Sequence, residues 1–203
     1  MSQQSIGAYP TGMIGKIAGN IMNMIHNRQY EKIIDEIYQT SDKGSINIID
    51  IGCGGGIAIK HFTKKFREGH IYGIDISPDM VNLAKRLNRK AISEKRVEIF
   101  TANVEEIDLG DKRMDLVTVF DNINFWNNYE ASLANIKRLL GKNGRLVIVN
   151  AYPEKGTKWY EFVKFKDVNE YQQLLEKNGF QLTNHKMMGH TVVLEGKQVT
   201  AQV

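Results

Sequence analysis

The sequence predicts an α/β protein built on a doubly wound, mostly parallel sheet. Short apolar segments rich in β-branched residues alternate with segments of helical periodicity along most of the chain. That alternation is typical of parallel strands joined by right-handed crossover helices. The last two predicted strands are joined at Gly189 by a turn that is too short for a crossover, so this pair must be antiparallel.

Each predicted element has its own local signal. Ser77 is placed to cap a helix that begins with Pro78, while Gly141 and Gly179 follow helical patterns as C-terminal stops. A capping-box pair, Asp167 and Glu170, opens the last helix. The predicted strands cover residues 46–49, 69–75, 97–100, 114–120, 145–149, 180–187 and 191–199. The predicted helices cover residues 13–25 and 27–39, segments that start at 57 and 78, and residues 128–140 and 167–178.

Length and composition indicate a single globular domain. The chain has 203 residues, of which 42% are hydrophobic and 25% charged, and both fractions are ordinary for such a domain. Cys53 is the only cysteine, so an intrachain disulfide is excluded and a reducing, cytoplasmic location is expected. No apolar run is long enough to span a membrane, and the N-terminus lacks the pattern of a secretory signal.

The formal net charge of +4 comes largely from two basic helical segments. If both segments cover the same sheet face, they form one basic surface that would suit nucleic acid or anionic lipid. The other interpretation is an ordinary solvated helix face, which is favoured because no aromatic residues are interleaved to stack on bases. The basic residues are Lys60, Lys64, Lys65, Arg67, Lys85, Arg86, Arg89, Lys90, Lys95 and Arg96.

The segment from Asp50 to Gly56 carries the strongest functional signal. It lies between a strand and a helix, and four of its seven residues are glycines, so backbone N–H groups can approach a ligand closely. The helix N-terminus that follows favours an anion or carboxylate. A dinucleotide fingerprint would need a third glycine at position 57, which is Ile57. The pattern present is instead Asp50-x-Gly52-x-Gly54-x-Gly56.

With this motif the sequence resembles the class I S-adenosylmethionine-dependent methyltransferases, whose first motif is an acid followed by Gly-x-Gly-x-Gly. The resemblance covers most of residues 46–150 and implies a Rossmann-like, seven-stranded sheet with a reversed last strand. It also implies S-adenosylmethionine as cofactor and S-adenosylhomocysteine as product. We therefore expect one methyltransferase domain over residues 1–203, with an N-terminal lid (1–40), a cofactor-binding core (41–150) and the C-terminal part of the sheet (151–203).

The resemblance assigns cofactor contacts residue by residue. Asp75, at the end of the second strand, would accept hydrogen bonds from the ribose hydroxyls; the alternative is an ordinary strand-end acid that caps a helix. Ile76 and Met80 would flank the adenine. Asn103 would read the adenine amino group and Val104 a ring nitrogen, although a simple turn explains the same residues. The full set of predicted cofactor-binding residues is Asp50, Gly52, Cys53, Gly54, Asp75, Ile76, Met80, Asn103, Val104 and Phe120.

Two residues of the motif itself have more specific expected roles. Asp50 would either order the glycine turn or approach the amino group of the cofactor through water. Cys53 has two interpretations, a nucleophile or a small residue whose backbone N–H binds the cofactor carboxylate, and the second is favoured inside a glycine turn.

The acceptor side is less defined. Residues 120–126 follow the fourth strand and should border the transferred methyl group, with Phe125 and Trp126 as pocket walls or as core anchors. This segment lacks the Asn/Asp-Pro-Pro-aromatic motif of enzymes that methylate amines of bases. It resembles instead the loop of small-molecule methyltransferases in this family, which implies a small-molecule acceptor. No metal site is predicted and no catalytic residue is assigned. A base is optional, and the unranked candidates are Tyr9, His26, Asp121, Tyr152 and His190.

Three other functions fit parts of the pattern. A nucleic-acid methyltransferase would use the basic helices. A nicotinamide-dependent oxidoreductase normally has more chain after its nucleotide-binding half than this sequence provides. A non-catalytic S-adenosylmethionine-binding protein would use the cofactor residues without transferring the methyl group.

Overall fold

The structure is a computed structural model that describes residues 27–42, 44–152 and 154–199. The chain divides into two compact units, Met1–Ile107 and Asp108–Val203. The predicted helix at 13–25, most of the predicted N-terminal lid and the candidate bases Tyr9 and His26 lie outside the described residues. The single-domain organisation stays a prediction.

The first unit is a parallel three-stranded sheet with its crossover helices. Its strands β1 (Ile46–Ile51), β2 (Gly69–Asp75) and β3 (Val97–Thr101) lie in the order β3-β2-β1. Nearly all of β1 and the second half of β2 are buried, as expected for strands rich in isoleucine. The helices are α1 (27–39), α2 (Ile57–Lys65), α3 (Pro78–Leu87) and the short α4 (Arg89–Ser93).

The second unit is a mixed four-stranded sheet in the order β4-β5-β7-β6. Strands β4 and β5 are parallel, and β7 is antiparallel to both β5 and β6. The strands are β4 (Met114–Phe120), β5 (Leu140–Ala151), β6 (Phe180–Met188) and β7 (Thr191–Gln198). The helices are a 3₁₀ turn (Ile123–Phe125), α5 (Tyr129–Leu139), α6 (Lys158–Phe162) and α7 (Val168–Lys177).

The predicted fold class is confirmed. The seven strands follow the order β3-β2-β1-β4-β5-β7-β6, with helices between the parallel strands and a reversed last strand. This is the Rossmann-like arrangement that the resemblance implied. Ligands of such sheets bind beyond the carboxyl ends of the strands, so the residues that follow β1, β2 and β3 are the candidates for a binding site in the first unit.

Several helix signals act as predicted. The Ser77 hydroxyl accepts a hydrogen bond from the Met80 N–H, and Pro78 opens α3. The Asp167 carboxylate accepts from the Glu170 N–H at the start of α7, and Gly179 adopts a left-handed φ of 76° after that helix. The short elements α4, α6 and the 3₁₀ turn were not predicted, because three to five residues are too few to show helical periodicity.

The structure corrects the end of α5. We expected Gly141 to close this helix, but α5 ends at Leu139 and β5 begins at Leu140, so Gly141 lies inside a strand of 12 residues. The register between β4 and β5 shifts between Met114 and Leu116, which accommodates the irregular start of β5. Pairing with β4 therefore overrides the local stop signal of the glycine.

None of the helices in the described ranges is long and apolar enough to cross a membrane.

Candidate functional site

The glycine turn, residues 52–56, connects β1 to α2 and needs glycine at three positions. Gly52, Gly54 and Gly56 have φ angles of 70°, 50° and 80°, in the left-handed region that side chains disfavour. The Cys53 N–H donates to the Ile74 carbonyl (2.9 Å), which fastens the turn to β2. The turn is therefore fixed to the sheet of the first unit by a backbone hydrogen bond.

Gly54 and Gly56 differ in what surrounds them. A Cβ atom on Gly54 would meet nothing within 4 Å, so this face of the turn is open to a ligand. A Cβ atom on Gly56 would lie 2.7 Å from Asn88 Nδ2 and 2.8 Å from Ala84 Cβ, so this glycine lets α3 pack against the turn. One glycine is thus suited to binding and the other to folding.

Asn88 supports the turn, and sequence reasoning missed it. Its buried side chain donates from Nδ2 to the Gly56 carbonyl and to the Ala84 carbonyl, both at 3.0 Å. A lone asparagine at the end of a helix gives no signal for this role, because it is also a common residue at helix ends. Only the fold brings Asn88 to the glycine turn.

Asp75 lies at the carboxyl end of β2 and is 9% exposed. Its Oδ2 accepts from the Gly54 N–H at 2.9 Å, and its Oδ1 accepts from the Ser77 N–H at 2.8 Å. A carboxylate oxygen has two lone pairs, so each oxygen can accept one further hydrogen bond from a ribose hydroxyl. Asp75 therefore fits the predicted role and, in addition, holds the glycine turn.

The two predicted adenine neighbours differ in exposure. Ile76 is 43% exposed, so its side chain is available for contact with a flat ligand. Met80 is 3% exposed and so belongs to the buried side of α3. The adenine role of both residues stays a prediction, and Ile76 is better placed for it.

Asn103 and Val104 follow β3. The Ala102 N–H donates to the Asp75 carbonyl at 3.1 Å, which brings this loop next to the end of β2. Asn103 Oδ1 accepts from the Glu105 N–H at 3.2 Å, and its carbonyl accepts from the Ile107 N–H, so Asn103 organises a turn. Val104 is buried. The adenine-reading role remains a prediction beside this structural one.

The expected backbone role of Cys53 needs correction. Its N–H is already used by the Ile74 carbonyl, so it is not the donor for a cofactor carboxylate. The N–H groups of the first turn of α2 have no intrahelical partner, so they are the remaining candidates for that role, which stays a prediction. The thiol is buried, and burial followed by the charges of Asp75 and Asp50 raises its pKa well above the ordinary value, which disfavours a nucleophilic thiolate.

Asp50 is 1% exposed and lies inside β1, in register with Gly73 of β2. Asp50 is one residue before the end of β1, and its charge acts on the Cys53 thiol, so its carboxylate lies near the glycine turn. This fits the expected ordering of the turn, and the approach to a cofactor amino group stays a prediction.

The pKa of Asp75 gives a pH prediction. Burial raises this pKa above its ordinary value, against the opposing effect of the hydrogen bonds from Ser77 and Gly54. Ribose hydroxyls bind the ionised form, so binding lowers the pKa again. Affinity for S-adenosylhomocysteine should be constant near neutral pH and fall as the pH drops through the raised pKa of the free protein.

Calorimetry between about pH 4 and 7 measures this effect, in a range where an unperturbed aspartate would already be ionised for the most part. Asp75→Asn, which does not titrate, is the control and should lose the acid limb of the profile. An identical profile for the wild type and Asp75→Asn would contradict the assignment.

In the second unit, three of the candidate bases come together near the end of β5. Asp121 follows β4 with a left-handed φ of 46°, and its Oδ1 accepts from the Ala151 N–H at 2.7 Å. The Tyr152 N–H donates to the His190 carbonyl at 2.7 Å.

Phe120 is buried at the end of β4, and its cofactor role stays a prediction.

Residues that follow β4, together with Asn150 in β5 and residues that follow β5, form what we call the amide–aromatic cluster. Lys164 links its first members, because its N–H donates to Asn124 Oδ1 (3.1 Å) and its Nζ lies 5.0 Å from the centre of the Tyr129 ring. Tyr129 contacts Phe165, Phe165 stacks on Tyr171 at 4.5 Å, and the Tyr171 hydroxyl accepts from Asn150 Nδ2 at 2.9 Å. The cluster consists of Asn124, Tyr129, Asn150, Lys164, Phe165 and Tyr171.

Trp126 contacts two members of this cluster, Lys164 and Tyr129. Its indole N–H donates to Asn122 Oδ1 at 2.8 Å, its carbonyl accepts from Lys164 Nζ at 2.9 Å, and its ring contacts Tyr129. Trp126 is buried, whereas Phe125 is half-buried and contacts Phe162. Of the two interpretations, core anchoring therefore fits Trp126, and a pocket wall remains open for Phe125.

Comparison with known proteins identifies a methyltransferase domain over residues 49–148. A relative, the uncharacterized methyltransferase YdaC of Bacillus subtilis, is 28% identical over 115 residues, which cover 54% of this chain and 61% of the relative. A malonyl-[acyl-carrier protein] O-methyltransferase of Priestia megaterium is 26% identical over 116 residues, which cover 57% of this chain and 40% of that protein. The chain thus spans about half the length of these curated relatives.

The fold is shared with solved structures. A crystal structure of a SAM-dependent methyltransferase from Aquifex aeolicus matches with a TM-score of 0.71 at 18% identity, over 96% of this chain and 93% of that one. The matched domain begins in β1, just before the glycine turn, and includes Asp75 and Asn103. The family predicted from the acid and glycine motif is thereby confirmed: the chain belongs to the class I S-adenosylmethionine-dependent methyltransferases.

Proposed function

We propose that the chain transfers a methyl group from S-adenosylmethionine to an oxygen, nitrogen or sulfur atom of a small molecule. The observation that supports this proposal best is the hydrogen bond that joins the glycine turn to Asp75, from the Gly54 N–H to the Asp75 carboxylate. The open face of Gly54 lies next to a carboxylate that still has two acceptor positions, and the exposed Ile76 follows directly. These are the contacts that an amino-acid tail, a ribose and an adenine require.

The chemistry divides between cofactor and protein. S-adenosylmethionine supplies a methyl group on a sulfonium, whose S–CH₃ bond breaks as the acceptor atom forms a bond to the carbon, leaving a neutral thioether. An acceptor that carries a proton releases it to solvent or to a base. The residues of the chain orient the donor and exclude water from it, which is the main requirement of such a transfer.

A small-molecule acceptor is supported by two observations. The relative from Priestia megaterium is named as an O-methyltransferase of malonyl-[acyl-carrier protein], so the group it methylates is a small acyl group, carried there on a protein. In the second unit, aromatic rings and buried amides follow β4 and β5, which suits a compact ligand of mixed polarity.

Cofactor choice is the first test of the proposal. S-adenosylmethionine and S-adenosylhomocysteine should raise the melting temperature with increasing concentration, because both bind only the folded chain, and NAD should not. A ligand at 100 times its dissociation constant stabilises by about 2.7 kcal/mol, which is several degrees for a chain of this size. Stabilisation by NAD alone would favour the oxidoreductase alternative and contradict the proposal.

A nucleic-acid acceptor is the second candidate, because the first unit exposes Lys64, Arg67, Lys85, Arg86, Arg89, Lys90 and Lys95. Two other basic residues are used within the fold. Arg96 donates from Nη2 to the Thr63 and Phe66 carbonyls at the end of α2, and Lys65 pairs with Asp35 at 2.6 Å. A gel shift with RNA whose affinity falls steeply with salt would support this candidate.

A non-catalytic S-adenosylmethionine-binding protein is separated from the enzyme by turnover. Release of S-adenosylhomocysteine in the presence of acceptor supports methyl transfer, whereas binding without release over a broad acceptor panel supports the sensor. We also propose a cytoplasmic location, on the basis of the single buried cysteine.

A further inference from the structure

The buried polar atoms of the amide–aromatic cluster point to a ligand. Among the described residues of the second unit, the buried side-chain nitrogen and oxygen atoms without a hydrogen-bond partner are Asn124 Nδ2, the Tyr129 hydroxyl and Asn150 Oδ1. All three belong to this one cluster. Buried polar atoms are nearly always paired in folded proteins, so three unpaired atoms on residues of one cluster require an explanation. Asn124 Nδ2 and the Tyr129 hydroxyl can donate a hydrogen bond, whereas Asn150 Oδ1 can only accept one.

Asn124 is the clearest of the three. It is 4% exposed and sits in the 3₁₀ turn after β4, where its Oδ1 is fixed by the Lys164 N–H at 3.1 Å. That bond settles the orientation of the amide and leaves its NH₂ group without a partner among the described residues. An amide fixed on its acceptor side and unpaired on its donor side is prepared to donate to a ligand.

Tyr129 offers a second donor. Its ring is held by Phe165 at 5.4 Å in an edge-on contact, while its hydroxyl is buried and unpaired within the described part of the chain. Burial raises the pKa of Tyr129 to about 12, so the hydroxyl keeps its proton at neutral pH. Tyr129 is therefore a hydrogen-bond donor here and not a general base.

Lys164 is an exposed residue that contacts both donor residues and carries a positive charge. Its backbone binds Asn124, and its Nζ lies 5.0 Å from the centre of the Tyr129 ring while donating to the Trp126 carbonyl. An ammonium has three donors, and a carbonyl at its side does not neutralise its charge. Two uncharged donors beside a cation select for an anionic oxygen over a neutral one.

We propose that Asn124, Tyr129 and Lys164 bind a carboxylate of the methyl acceptor, which is accordingly a small organic acid with a flat or apolar body. The aromatic members of the cluster, Phe165 and Tyr171, provide the surface for that body. This inference rests on the proposed function in one respect, that the bound acid is the methyl acceptor. The carboxylate site itself is built from residues of the second unit alone. The other explanation for the orphans is bound water.

The test is a titration of the ¹⁵N-labelled chain with benzoate, followed by NMR, with methyl benzoate as the neutral isostere. The side-chain NH₂ signals of Asn124, assigned by their loss in Asn124→Asp, report on the site directly. They should shift with millimolar benzoate and much less with methyl benzoate. Titration with octanoate distinguishes an aromatic body from an aliphatic one, and binding of either acid supports the proposal.

Two variants test the donors. Asn124→Asp keeps the oxygen that binds the Lys164 N–H and replaces the donor with a negative charge, so benzoate affinity should fall at least about tenfold. Tyr129→Phe keeps the ring and should lower benzoate affinity to a similar degree, while the melting temperature stays equal or rises because an unpaired hydroxyl is removed. Asn143→Asp, an exposed change of the same charge, is the control and should have little effect.

The outcomes separate this inference from the proposed function. All titrations are repeated with and without S-adenosylhomocysteine, whose own affinity is measured by calorimetry. A chain that binds S-adenosylhomocysteine but neither acid, or that binds methyl benzoate as tightly as benzoate, overturns the carboxylate site alone. A fall of several degrees in the melting temperature of Tyr129→Phe also overturns it, because the hydroxyl would then have a partner such as bound water.

Discussion

Gly56→Ala is expected to lower the free energy of unfolding by about 2–5 kcal/mol, the sum of about 1–2 kcal/mol for a left-handed non-glycine residue and about 1–3 kcal/mol for overpacking. The new methyl group would lie 2.7 Å from Asn88 Nδ2, 2.8 Å from Ala84 Cβ and 2.9 Å from Ala84 Cα. Because Ala84 is buried on α3, neither its side chain nor its backbone can move away without shifting the helix. Chemical denaturation followed by circular dichroism measures the effect.

Two other glycines provide matched controls. Gly110 has a φ of 62°, and a methyl group added to it would have no atom within 4 Å, so Gly110→Ala should show the backbone strain alone, about 1–2 kcal/mol. Gly54→Ala has equally open surroundings and should resemble Gly110→Ala in stability, yet lose affinity for S-adenosylmethionine because its methyl group faces the ligand. Equal stability of Gly56→Ala and Gly110→Ala would contradict the packing argument.

Asp75→Ala is expected to reduce the affinity for S-adenosylmethionine at least tenfold, because a hydrogen bond to a charged group contributes about 1.5–3 kcal/mol. The structure adds a second effect. The substitution also leaves the Gly54 and Ser77 N–H groups without their acceptor, so the stability should fall by about 1–3 kcal/mol as well. Asp75 is thus not the dispensable strand-end acid that its position in the sequence suggests.

Calorimetry and denaturation of the same variant separate the two effects. Glu94→Ala, which removes the same charge from an exposed position in the same unit, is the control and should leave both quantities nearly unchanged. Asp75→Ala with normal affinity for the cofactor would remove the ribose assignment, even if its stability were reduced.

The parts of the fold that were predictable are those encoded by short-range patterns. Alternating strands and helices, the Ser77 cap and the Gly179 stop all depend on neighbouring residues, and all were predicted correctly. Gly141 shows the limit of this approach. A glycine after a helical pattern usually ends the helix, but here the pairing of β5 with β4 decides the conformation, and that pairing is not visible in the sequence.

The residues of the candidate site likewise divide into those that short-range patterns locate and those that only the fold brings together. The glycine motif and Asp75 could be located because their spacing along the chain is itself the signal. The support from Asn88 could not, since it depends on a contact between residues 32 positions apart. Likewise Asn124, Lys164 and Tyr129 become a cluster only when the segments after β4 and β5 meet, and no local pattern in the sequence indicates that contact.

The central claim is that the glycine turn and Asp75 together bind the cofactor. A crystal structure with S-adenosylhomocysteine bound tests that claim most directly. Both ribose hydroxyls are predicted to lie within hydrogen-bonding distance of the Asp75 carboxylate, with the amino-acid tail over Gly54 and the adenine against Ile76. A ligand bound elsewhere, or one whose ribose does not contact Asp75, would contradict the account.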